Sequence, residues 1–456
     1  MKKNIGFILF LGVFLLMCLW PLVGMAITGP SEAAANERLA AAPSLTRAGA
    51  FNTAFLNETS DYFADHFASR QELITLNAKL EAALFGESAE DDVILGKDGW
   101  LFYKSTLDDY QGQNLLSERE VRAAAHCLAL MQEYAQSQGA SFLFTVAPNK
   151  NTLYPDAMPD RYLRSDESGN LERLTEALRQ AGVAYADLAA AFRAEDAVLY
   201  QRLDSHWSNL GAALAHDTIL DALGKDAARF YQPERFTAVK DFEADLYRML
   251  YPAGTEKDVQ FYPNWATQFT YLQPIRSAED QTIRTVCDGQ DGTLLMFRDS
   301  FGNTLHTFIA ESYGVACFSR AMPYDLSLLG SEGADTLVIE LVERNLDWLV
   351  TRAPVFPAPT RDVPLPETCD SVLSFTYAFT QTDSGVCCSG NLGSIPDVDS
   401  PVWLVCDGTV YEASPAGSGE LPFTAYLPAQ PAALQVMFLQ NGTPVLSQVI
   451  YTNGEG

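Results

Sequence analysis

The alternation of apolar and polar positions predicts strands and helices in turn through the middle of the chain. Short, largely apolar runs are typical of buried strands in a parallel sheet, and they lie at 141–147, 183–188, 293–298, 315–319 and 336–341. Segments with apolar residues at helical spacing lie between them, at 117–139, 170–180, 208–223 and 302–312. This order predicts an α/β fold with a doubly wound parallel sheet.

The segments before and inside this region have a different pattern. Residues 51–84 repeat apolar positions at helical spacing, which predicts a helical cover over the main domain. Residues 225–285 are rich in Tyr, Phe and Pro and have weak periodicity, so we interpret them as an elaborated insertion. Together, residues 50–354 are predicted to form one catalytic domain.

The C-terminal part of the chain reads as a separate β domain. A proline-rich, extended linker is predicted at 355–367. Beyond it, β-rich runs are separated by Gly, Pro, Asn and Asp, and they lie at 372–380, 402–412, 434–439 and 445–451. Asn441-Gly442 is a hairpin signal. These features predict a small all-β sandwich over 368–456, with either a packing role or a ligand.

The N-terminus is predicted to cross a membrane. Lys2 and Lys3 precede residues 5–27, which carry no charge and are long enough to span a bilayer. The lysines place the short N-terminus in the cytoplasm and the bulk of the chain outside it. We therefore interpret 1–28 as an uncleaved anchor and 29–49 as a stalk, although Ala26 and the alanines at 33–35 leave signal cleavage open.

Charge and cysteine usage exclude other classes of function. The formal net charge is −28, and such an acidic surface repels nucleic acid. The eight cysteines include no CxxC pair and no ligand spacing with histidine, so we predict no zinc site and no cofactor. Four of the cysteines follow residue 365, where either one disulfide or free thiols are compatible with an extracytoplasmic location.

Asp204, His206 and Ser300 are the candidate catalytic residues. Asp204 lies two residues before His206 in a polar loop ahead of a helix, so one loop holds a base and the carboxylate that orients it. Ser300 follows the strand at 293–298 and precedes a helix, whose free N–H groups can stabilise an oxyanion. A helix cap at Ser300 and a loop tie at Asp204 are the structural alternatives.

Several short motifs occur in a fixed order, and they carry a resemblance. They are Asp65-His66-Phe67 with Arg70, Gly99-Trp100-Leu101-Phe102, Pro148-Asn149-Lys150 with Tyr154-Pro155, Asp204-Ser205-His206-Trp207, Asp299-Ser300-Phe301 and Glu343-Arg344. With the membrane-anchored N-terminus, this set resembles the DHHW and alginate O-acetyltransferase (AlgJ and AlgX) group of SGNH-hydrolase-like proteins over about residues 50–350. In that group the Asp-x-His element precedes the nucleophile, as it does here.

The resemblance implies an extracytoplasmic O-acetyltransferase that modifies hydroxyls of a cell-surface polysaccharide. Ser300 would be the nucleophile, His206 the base and Asp204 its orienting acid. A polysaccharide acceptor and a membrane-bound O-acyltransferase (MBOAT) partner are implied in the same way. A carbohydrate acetylesterase with the same triad and a non-catalytic glycan-binding or assembly protein are the alternatives.

Other residues of these motifs are candidates for substrate contact or for bracing the loops. They are Trp207, Arg298, Arg344, Lys150 and Tyr154. The chain departs from the group at Ser205, the second position of the DHHW motif, which we expect to point away from the Asp204–His206 pair. Arg298 stands where esterase-type relatives have Gly, so we assign the oxyanion hole only to the backbone around Ser300.

Overall fold

Helices and strands alternate through the middle of the chain in the structure, a computed structural model that describes residues 2–31, 38–383 and 385–452. The α-helices, α1 to α13 in chain order, are Lys2–Thr28, Phe55–His66, Arg70–Phe85, Leu107–Gln111, Glu118–Ser137, Lys150–Leu153, Asn170–Ala181, Leu188–Arg193, Asn209–Leu223, Asp245–Leu250, Gly302–Ile309, Leu328–Glu332 and Trp348–Thr351. The β-strands, β1 to β21, are Thr46–Arg47, Ala50–Phe51, Val93–Leu95, Leu101–Tyr103, Ser141–Ala147, Tyr185–Ala186, Phe236–Phe242, Asp258–Pro263, Thr270–Tyr271, Thr282–Val286, Thr293–Phe297, Val315–Ser319, Thr336–Val342, Phe375–Thr382, Gly385–Leu392, Val402–Cys406, Thr409–Ala413, Pro422–Leu427, Ala433–Gln440, Thr443–Leu446 and Ile450–Tyr451.

Seven strands form the central sheet, in the order β6-β5-β13-β11-β12-β10-β9. The first five pair in parallel, which confirms the predicted α/β sheet. Strands β10 and β9 pair antiparallel at one edge, so the sheet is mixed and not wholly parallel. Strand β9 and nearly all of strand β10 come from residues 225–285, which the sequence shows only as an insertion.

The sheet separates two apolar cores because alternate residues of each strand face opposite sides. On one side, Phe144, Phe297 and Ile339 pack with helices α5 and α7. On the other side, Met296 and Val338 pack with helices α8, α9 and α11. Helices on both faces leave the carboxyl ends of β5, β13 and β11 at one open edge, where ligands bind in such sheets.

The predicted helix at 51–84 is two helices, α2 and α3. Between them, Ser69 adopts a left-handed conformation with φ 61°, which ends the helical path. The N–H of Ala68 donates to the carbonyl of Pro21 at 3.2 Å, so the break is held against helix α1. The His66 ring bonds to the Tyr62 carbonyl at 2.8 Å within helix α2.

The strand predicted at 183–188 is shorter than the apolar run. Only Tyr185–Ala186 pairs in the sheet, and helix α8 begins at Leu188. The strand ends early because the Asp187 side chain accepts a hydrogen bond from the Ala190 N–H at 2.9 Å and so caps helix α8.

Two sheets form the C-terminal part of the chain. One has three strands in the order β14-β15-β18, and the other has the order β17-β16-β19-β20, with β21 paired to β19. Leu404, Phe423 and Phe438 share one buried core between them. The run predicted at 402–412 is a hairpin that turns at Asp407 and Gly408, both at positive φ.

The proline-rich segment 355–367 is packed against this β region. Pro357 and Thr360 form isolated bridges with Tyr426 and Tyr411. The Arg361 guanidinium donates to both carboxylate oxygens of Glu133 on helix α5 at 2.6 Å, and also to Glu412. This segment therefore ties the β region to the helical layer on the central sheet.

The cysteines are unpaired throughout the described chain, including the four that follow residue 365. Cys388 and Cys406 are buried, and burial raises the pKa of each thiol to about 12. Of the alternatives left open by the sequence, the structure therefore has the free thiols.

Helix α1 is the one described helix that is long and apolar enough to cross a membrane, over Ile5–Thr28. Its orientation stays a prediction. Beyond it, Ala40 contacts helix α2, since the Ala40 N–H donates to Asp65 at 2.7 Å. Strands β1 and β2 then form a short hairpin ahead of helix α2.

We expect the C-terminal β region to fold alone, and more stably when it keeps its proline-rich segment. A fragment of residues 355–456 retains the bridges of Pro357 and Thr360, whereas a fragment of 365–456 loses them. Chemical denaturation should give both fragments one cooperative transition, with the larger free energy of unfolding for 355–456. A non-cooperative transition in both fragments would contradict independent folding.

Candidate active site

Three loops meet at the open edge of the sheet. The histidine loop, residues 199–208, lies between helices α8 and α9, and an antiparallel bridge between Tyr200 and Trp207 closes it. The serine turn, residues 298–302, leaves strand β11 and enters helix α11. The third loop follows strand β5 and ends at Lys150, where helix α6 begins.

Lys150 holds the histidine loop in place through hydrogen bonds to its backbone. Its side chain is buried, and Nζ donates to the carbonyl oxygens of Leu101, Arg202 and Asp204 at 2.6, 2.9 and 2.8 Å. Burial lowers the pKa of Lys150 to about 7. All three donor positions are thus directed at backbone carbonyls, so Lys150 braces the loop.

The region 225–285 supplies the acceptors for the N–H groups of the same loop. Asp258 accepts from the Leu203 N–H at 2.6 Å, and Asp245 accepts from the Ser205 N–H at 2.8 Å. Gln260 accepts from the Asn209 N–H at 2.9 Å, where helix α9 begins. The apparent insertion therefore holds the loop that carries Asp204 and His206.

Strand β13 supports the serine turn. Asp299 accepts hydrogen bonds from the Phe301 and Val342 N–H groups at 2.8 and 2.7 Å. The Asp299 N–H in turn donates to the buried side chain of Glu340 at 3.0 Å. Burial, followed by the charge of Asp299, raises the pKa of Glu340 well above its usual range.

The structure brings Ser300, His206 and Asp204 into one hydrogen-bonded chain. The Ser300 Oγ lies 2.9 Å from His206 Nε2, and the Asp204 Oδ1 lies 2.8 Å from His206 Nδ1. Asp204 Oδ2 accepts from the Asp245 N–H at 2.7 Å, which fixes the carboxylate. These distances have the geometry that activation of a serine hydroxyl requires.

A second carboxylate, Asp245, lies beside the imidazole and was not foreseen from the sequence. Its Oδ2 is 3.5 Å from His206 Nδ1 and accepts from the Ser205 hydroxyl at 2.5 Å. The Ser205 Oγ is itself 3.1 Å from His206 Nδ1. The expectation that Ser205 points away from the pair is therefore wrong, because Asp245 draws its hydroxyl toward the ring.

The electrostatics of the site favour a charged imidazolium beside an ionised Asp204. Burial acts to lower the pKa of His206, but the hydrogen bond and charge of Asp204 and the charge of Asp245 raise it overall. Burial acts to raise the pKa of Asp204, and its bonds to His206 and the backbone lower it below the usual range. Burial and the neighbouring Asp204 raise the pKa of Asp245.

Trp207 and Tyr154 both brace the histidine loop. The buried Trp207 donates from Nε1 to the Phe301 carbonyl at 3.2 Å and packs edge-on against the Phe301 ring. The Tyr154 hydroxyl accepts from the Leu199 N–H at 2.9 Å. Trp207 thereby ties the histidine loop directly to the serine turn.

The side chain of Arg298 braces the serine turn. Its guanidinium donates to Asn303 Oδ1 at 2.6 Å and to the Ala278 carbonyl at 2.8 Å. Gly302 leaves room for the Arg298 side chain, since a Cβ at position 302 would lie 2.5 Å from the Arg298 Cδ.

The predicted oxyanion hole needs a backbone N–H near Ser300 that has no other acceptor. The Phe301 N–H is occupied by Asp299. The Ser300 N–H meets no acceptor in the part of the chain that the structure describes. Of these two, Ser300 is therefore the one whose N–H can face an oxyanion.

Glu343 and Arg344 emerge at the same edge, as predicted from the end of strand β13. Glu343 is buried and accepts from the Asn149 N–H at 2.6 Å, and burial raises its pKa to about 8. The Arg344 guanidinium lies over the rings of Tyr103 and Phe301, 5.5 and 5.8 Å from their centroids. Its charge acts to lower the pKa of His206, so Arg344 influences the site through space.

A second Ser-His-Asp arrangement lies inside the protein. His216 Nε2 is 2.8 Å from Ser312 Oγ, and its Nδ1 is 2.7 Å from Asp217. His216 and Ser312 are both 0% exposed, so no substrate can reach them, whereas the His206 side chain is 26% exposed. We therefore interpret this buried set as structural. Solvent access to the histidine distinguishes it from the set of Ser300, His206 and Asp204.

Asp204, His206 and Asp245 also form the one grouping among the described residues that could hold a metal ion, with ligand atoms within 4.8 Å of one another. Two of those atoms, His206 Nδ1 and Asp204 Oδ1, are already joined by a hydrogen bond. A metal there would displace the proton that this bond requires. The grouping therefore fits the orientation of His206 better than it fits metal binding.

Comparison with known families confirms the resemblance that the motifs predict. Residues 93–305 match the family model of the SGNH hydrolase-like domain of the acetyltransferase AlgX. The probable alginate O-acetylase AlgJ of Pseudomonas syringae pv. tomato is 27% identical over 180 residues, which cover 38% of this chain and 44% of the relative. The corresponding protein of Pseudomonas aeruginosa is 26% identical over 151 residues, 33% of this chain and 36% of the relative. The chain thus spans less than half the length of these curated relatives.

Solved structures with a partial likeness include a DHHW family protein from Eubacterium siraeum and the O-acetyltransferase domain of Pseudomonas putida AlgJ. The first has a TM-score of 0.39 and 16% identity, covering 49% of this chain and 85% of its own. The second has a TM-score of 0.38 and 16% identity, covering 56% of this chain and 92% of its own.

We expect Asp245→Asn to lower the pKa of His206. The charge of Asp245 helps to raise that pKa, and an amide removes the charge while it keeps a hydrogen-bond acceptor for Ser205. The measurement is an NMR titration of the imidazole resonances, with Asp241→Asn as the control because Asp241 bonds to Tyr262 outside the site. An unchanged or higher pKa of His206 in Asp245→Asn would contradict the assigned electrostatics.

Proposed function

We propose that this protein is an extracytoplasmic, membrane-tethered O-acetyltransferase that modifies hydroxyls of a cell-surface polysaccharide. Ser300 is the nucleophile, His206 the general base and Asp204 the acid that orients it. The single observation that carries the proposal is the hydrogen-bonded chain from Ser300 through His206 to Asp204, in which the His206 side chain is accessible to solvent. The match of residues 93–305 to the acetyltransferase domain family supports it.

In the first half-reaction, His206 Nε2 takes the proton of the Ser300 hydroxyl as Oγ attacks the acetyl carbonyl of the donor. The Ser300 N–H faces the resulting oxyanion. Asp204 remains ionised and stabilises the imidazolium through Nδ1. The donor leaves with the proton that His206 returns to it, and the acetyl group stays on Ser300 as an ester.

In the second half-reaction, His206 takes the proton of a sugar hydroxyl, whose oxygen attacks the acetyl-serine ester. The tetrahedral intermediate collapses, the acetyl group passes to the sugar, and the Ser300 Oγ recovers its proton from His206. Water in place of the sugar gives ester hydrolysis by the same steps. The alternative activity, a carbohydrate acetylesterase, therefore differs only in the acceptor.

The proposed location rests on the N-terminal sequence, and the proposed partners rest on the resemblance. Lys2, Lys3 and the apolar helix α1 favour an N-terminus in the cytoplasm and the active site outside it. A membrane-bound O-acyltransferase of the MBOAT type would supply the acetyl group, and an exopolysaccharide would accept it. Arg344, a cation beside Phe301, is the candidate for contact with the substrate.

We expect Ser300→Ala and His206→Ala each to lower acetyl transfer at least about a thousandfold, since each removes a member of a unit that acts together. Asp204→Ala should cost less, and the triple variant should cost little more than either of the first two. The assay uses the purified protein, a chromogenic acetyl ester and an oligosaccharide acceptor, with acetylated product measured by mass spectrometry.

The matched control is Ser312→Ala, which removes the serine of the buried Ser-His-Asp set and should leave turnover unchanged. Full activity in Ser300→Ala would reject the proposed nucleophile. Turnover that yields acetate but no acetylated sugar with any acceptor would favour the esterase. Glycan binding without turnover in the unmodified protein would favour the non-catalytic role.

A further inference from the structure

A cavity of about 360 Å³ lies beside the serine turn, and its volume is in the range of sites for small organic molecules. Its wall includes residues at the carboxyl ends of strands β11, β12 and β13. Strand β11 is followed by helix α11 on one face of the sheet, and the neighbouring strand β13 is followed by helix α13 on the other face. Ligands of open α/β sheets bind in the crevice between two such strands.

The serine turn forms one side of this cavity. Tyr324 and Trp348 line the cavity and contact the apolar core that contains helices α5 and α7. Phe301, which follows Ser300, belongs to the core on the other face of the sheet. Asp299, which precedes Ser300, lines the cavity. A ligand chain that crosses the turn can therefore contact both the cavity and the serine.

Three side chains of the cavity wall are buried and have a polar atom without a hydrogen-bond partner among the described residues. These atoms are Arg298 Nε, the Tyr324 hydroxyl oxygen and Glu340 Oε1. The three residues are 4, 4 and 0% exposed. Buried polar groups in native proteins nearly always have partners, so a group of such atoms around a cavity indicates water or a ligand.

The charges around the cavity favour a neutral ligand. The guanidinium groups of three lining residues are matched in number by three carboxyl groups, one of which pairs with Arg320 from outside the wall, and they are Arg298, Arg320 and Arg352 against Asp299, Glu340 and Glu279. An anion would meet Asp299 and Glu340, and a cation would meet Arg298. A sugar hydroxyl both donates and accepts, so hydroxyls can serve the Arg298 Nε–H and the Glu340 oxygen together.

Arg352 and Trp348 lie on the solvent side of the cavity. Trp348 is half-buried, and the exposed Arg352 guanidinium lies 3.9 Å from the centroid of its ring. That guanidinium has no hydrogen bond or ion pair among the described residues, so its N–H groups can donate to a ligand. An aromatic ring with nearby polar groups is typical of the wall of a small-molecule site.

We propose that this cavity binds a neutral sugar residue of the acceptor glycan, near the residue whose hydroxyl meets Ser300. Arg298, Tyr324 and Glu340 bond its hydroxyls, and Arg352 covers it from the solvent side. The assignment of this sugar to the acceptor rests on the proposed function, whereas the presence of a sugar site does not. Since Arg298 also braces the serine turn, it connects sugar binding to the position of Ser300.

The test measures binding without turnover. Oligosaccharides are released by mild acid from the polysaccharides of the organism that makes this protein, and anion exchange separates them into a neutral and an acidic fraction. Each fraction is passed over the immobilised full-length protein in detergent, and the delay in elution gives the Kd. The unmodified protein should retain oligosaccharides of the neutral fraction.

Two variants of the cavity should weaken this retention. Arg352→Ala removes the exposed guanidinium, and Ala321→Phe places a ring at the half-buried wall position 321. Each should raise the Kd at least about tenfold, the loss expected when a hydrogen bond to a charged group is removed or the space is filled. Arg179→Ala is the matched control, since it removes an exposed guanidinium on helix α7, and its Kd should be unchanged.

The outcomes separate this proposal from the proposed activity. An unchanged Kd in both cavity variants would overturn the sugar site, since the glycan then binds elsewhere on the chain. Retention of the acidic fraction alone would overturn the neutral ligand, and retention of neither fraction would leave the cavity to water. If both variants lose retention while Ser300→Ala keeps full activity, the sugar site is supported and only the proposed nucleophile is rejected.

Discussion

The site depends on how the histidine loop satisfies its backbone. A buried loop without regular structure leaves N–H and C=O groups that must find partners elsewhere. Here Lys150 takes the carbonyls of Arg202 and Asp204, while Asp258 and Asp245 take the N–H groups of Leu203 and Ser205. Because these partners come from separate segments, the position of His206 is set by tertiary structure and not by the loop alone.

The same partners also set the charge of the site. Lys150 lies under the loop with its pKa lowered by burial, and Asp245 adds a carboxylate next to the one that orients His206. On the other side, the buried side chain of Glu340, whose pKa is raised, accepts from the Asp299 N–H, and Asp299 in turn holds the turn that presents Ser300. Of these bracing residues, Asp245 also acts on the imidazole directly, since its charge helps to raise the pKa of His206.

The sequence was sufficient for the parallel part of the sheet and for Ser300, His206 and Asp204 as candidates. Apolar runs define the strands, and a short Asp-x-His spacing defines the pair. It was insufficient for Asp245, because a carboxylate that binds a loop forty residues earlier leaves no local pattern. It also failed at Ser205 and at the antiparallel edge, since both depend on the region 225–285, where periodicity is weak.

The central claim, that Ser300 carries the acetyl group, is tested most directly by trapping the covalent intermediate. The protein is mixed with an activated acetyl ester without acceptor, quenched in acid, and analysed by intact mass and peptide mapping. The account predicts one added acetyl group per chain, located on Ser300, and its loss when an acceptor sugar is added before the quench. An acetyl group on another residue, or none under conditions of measurable turnover, would contradict it.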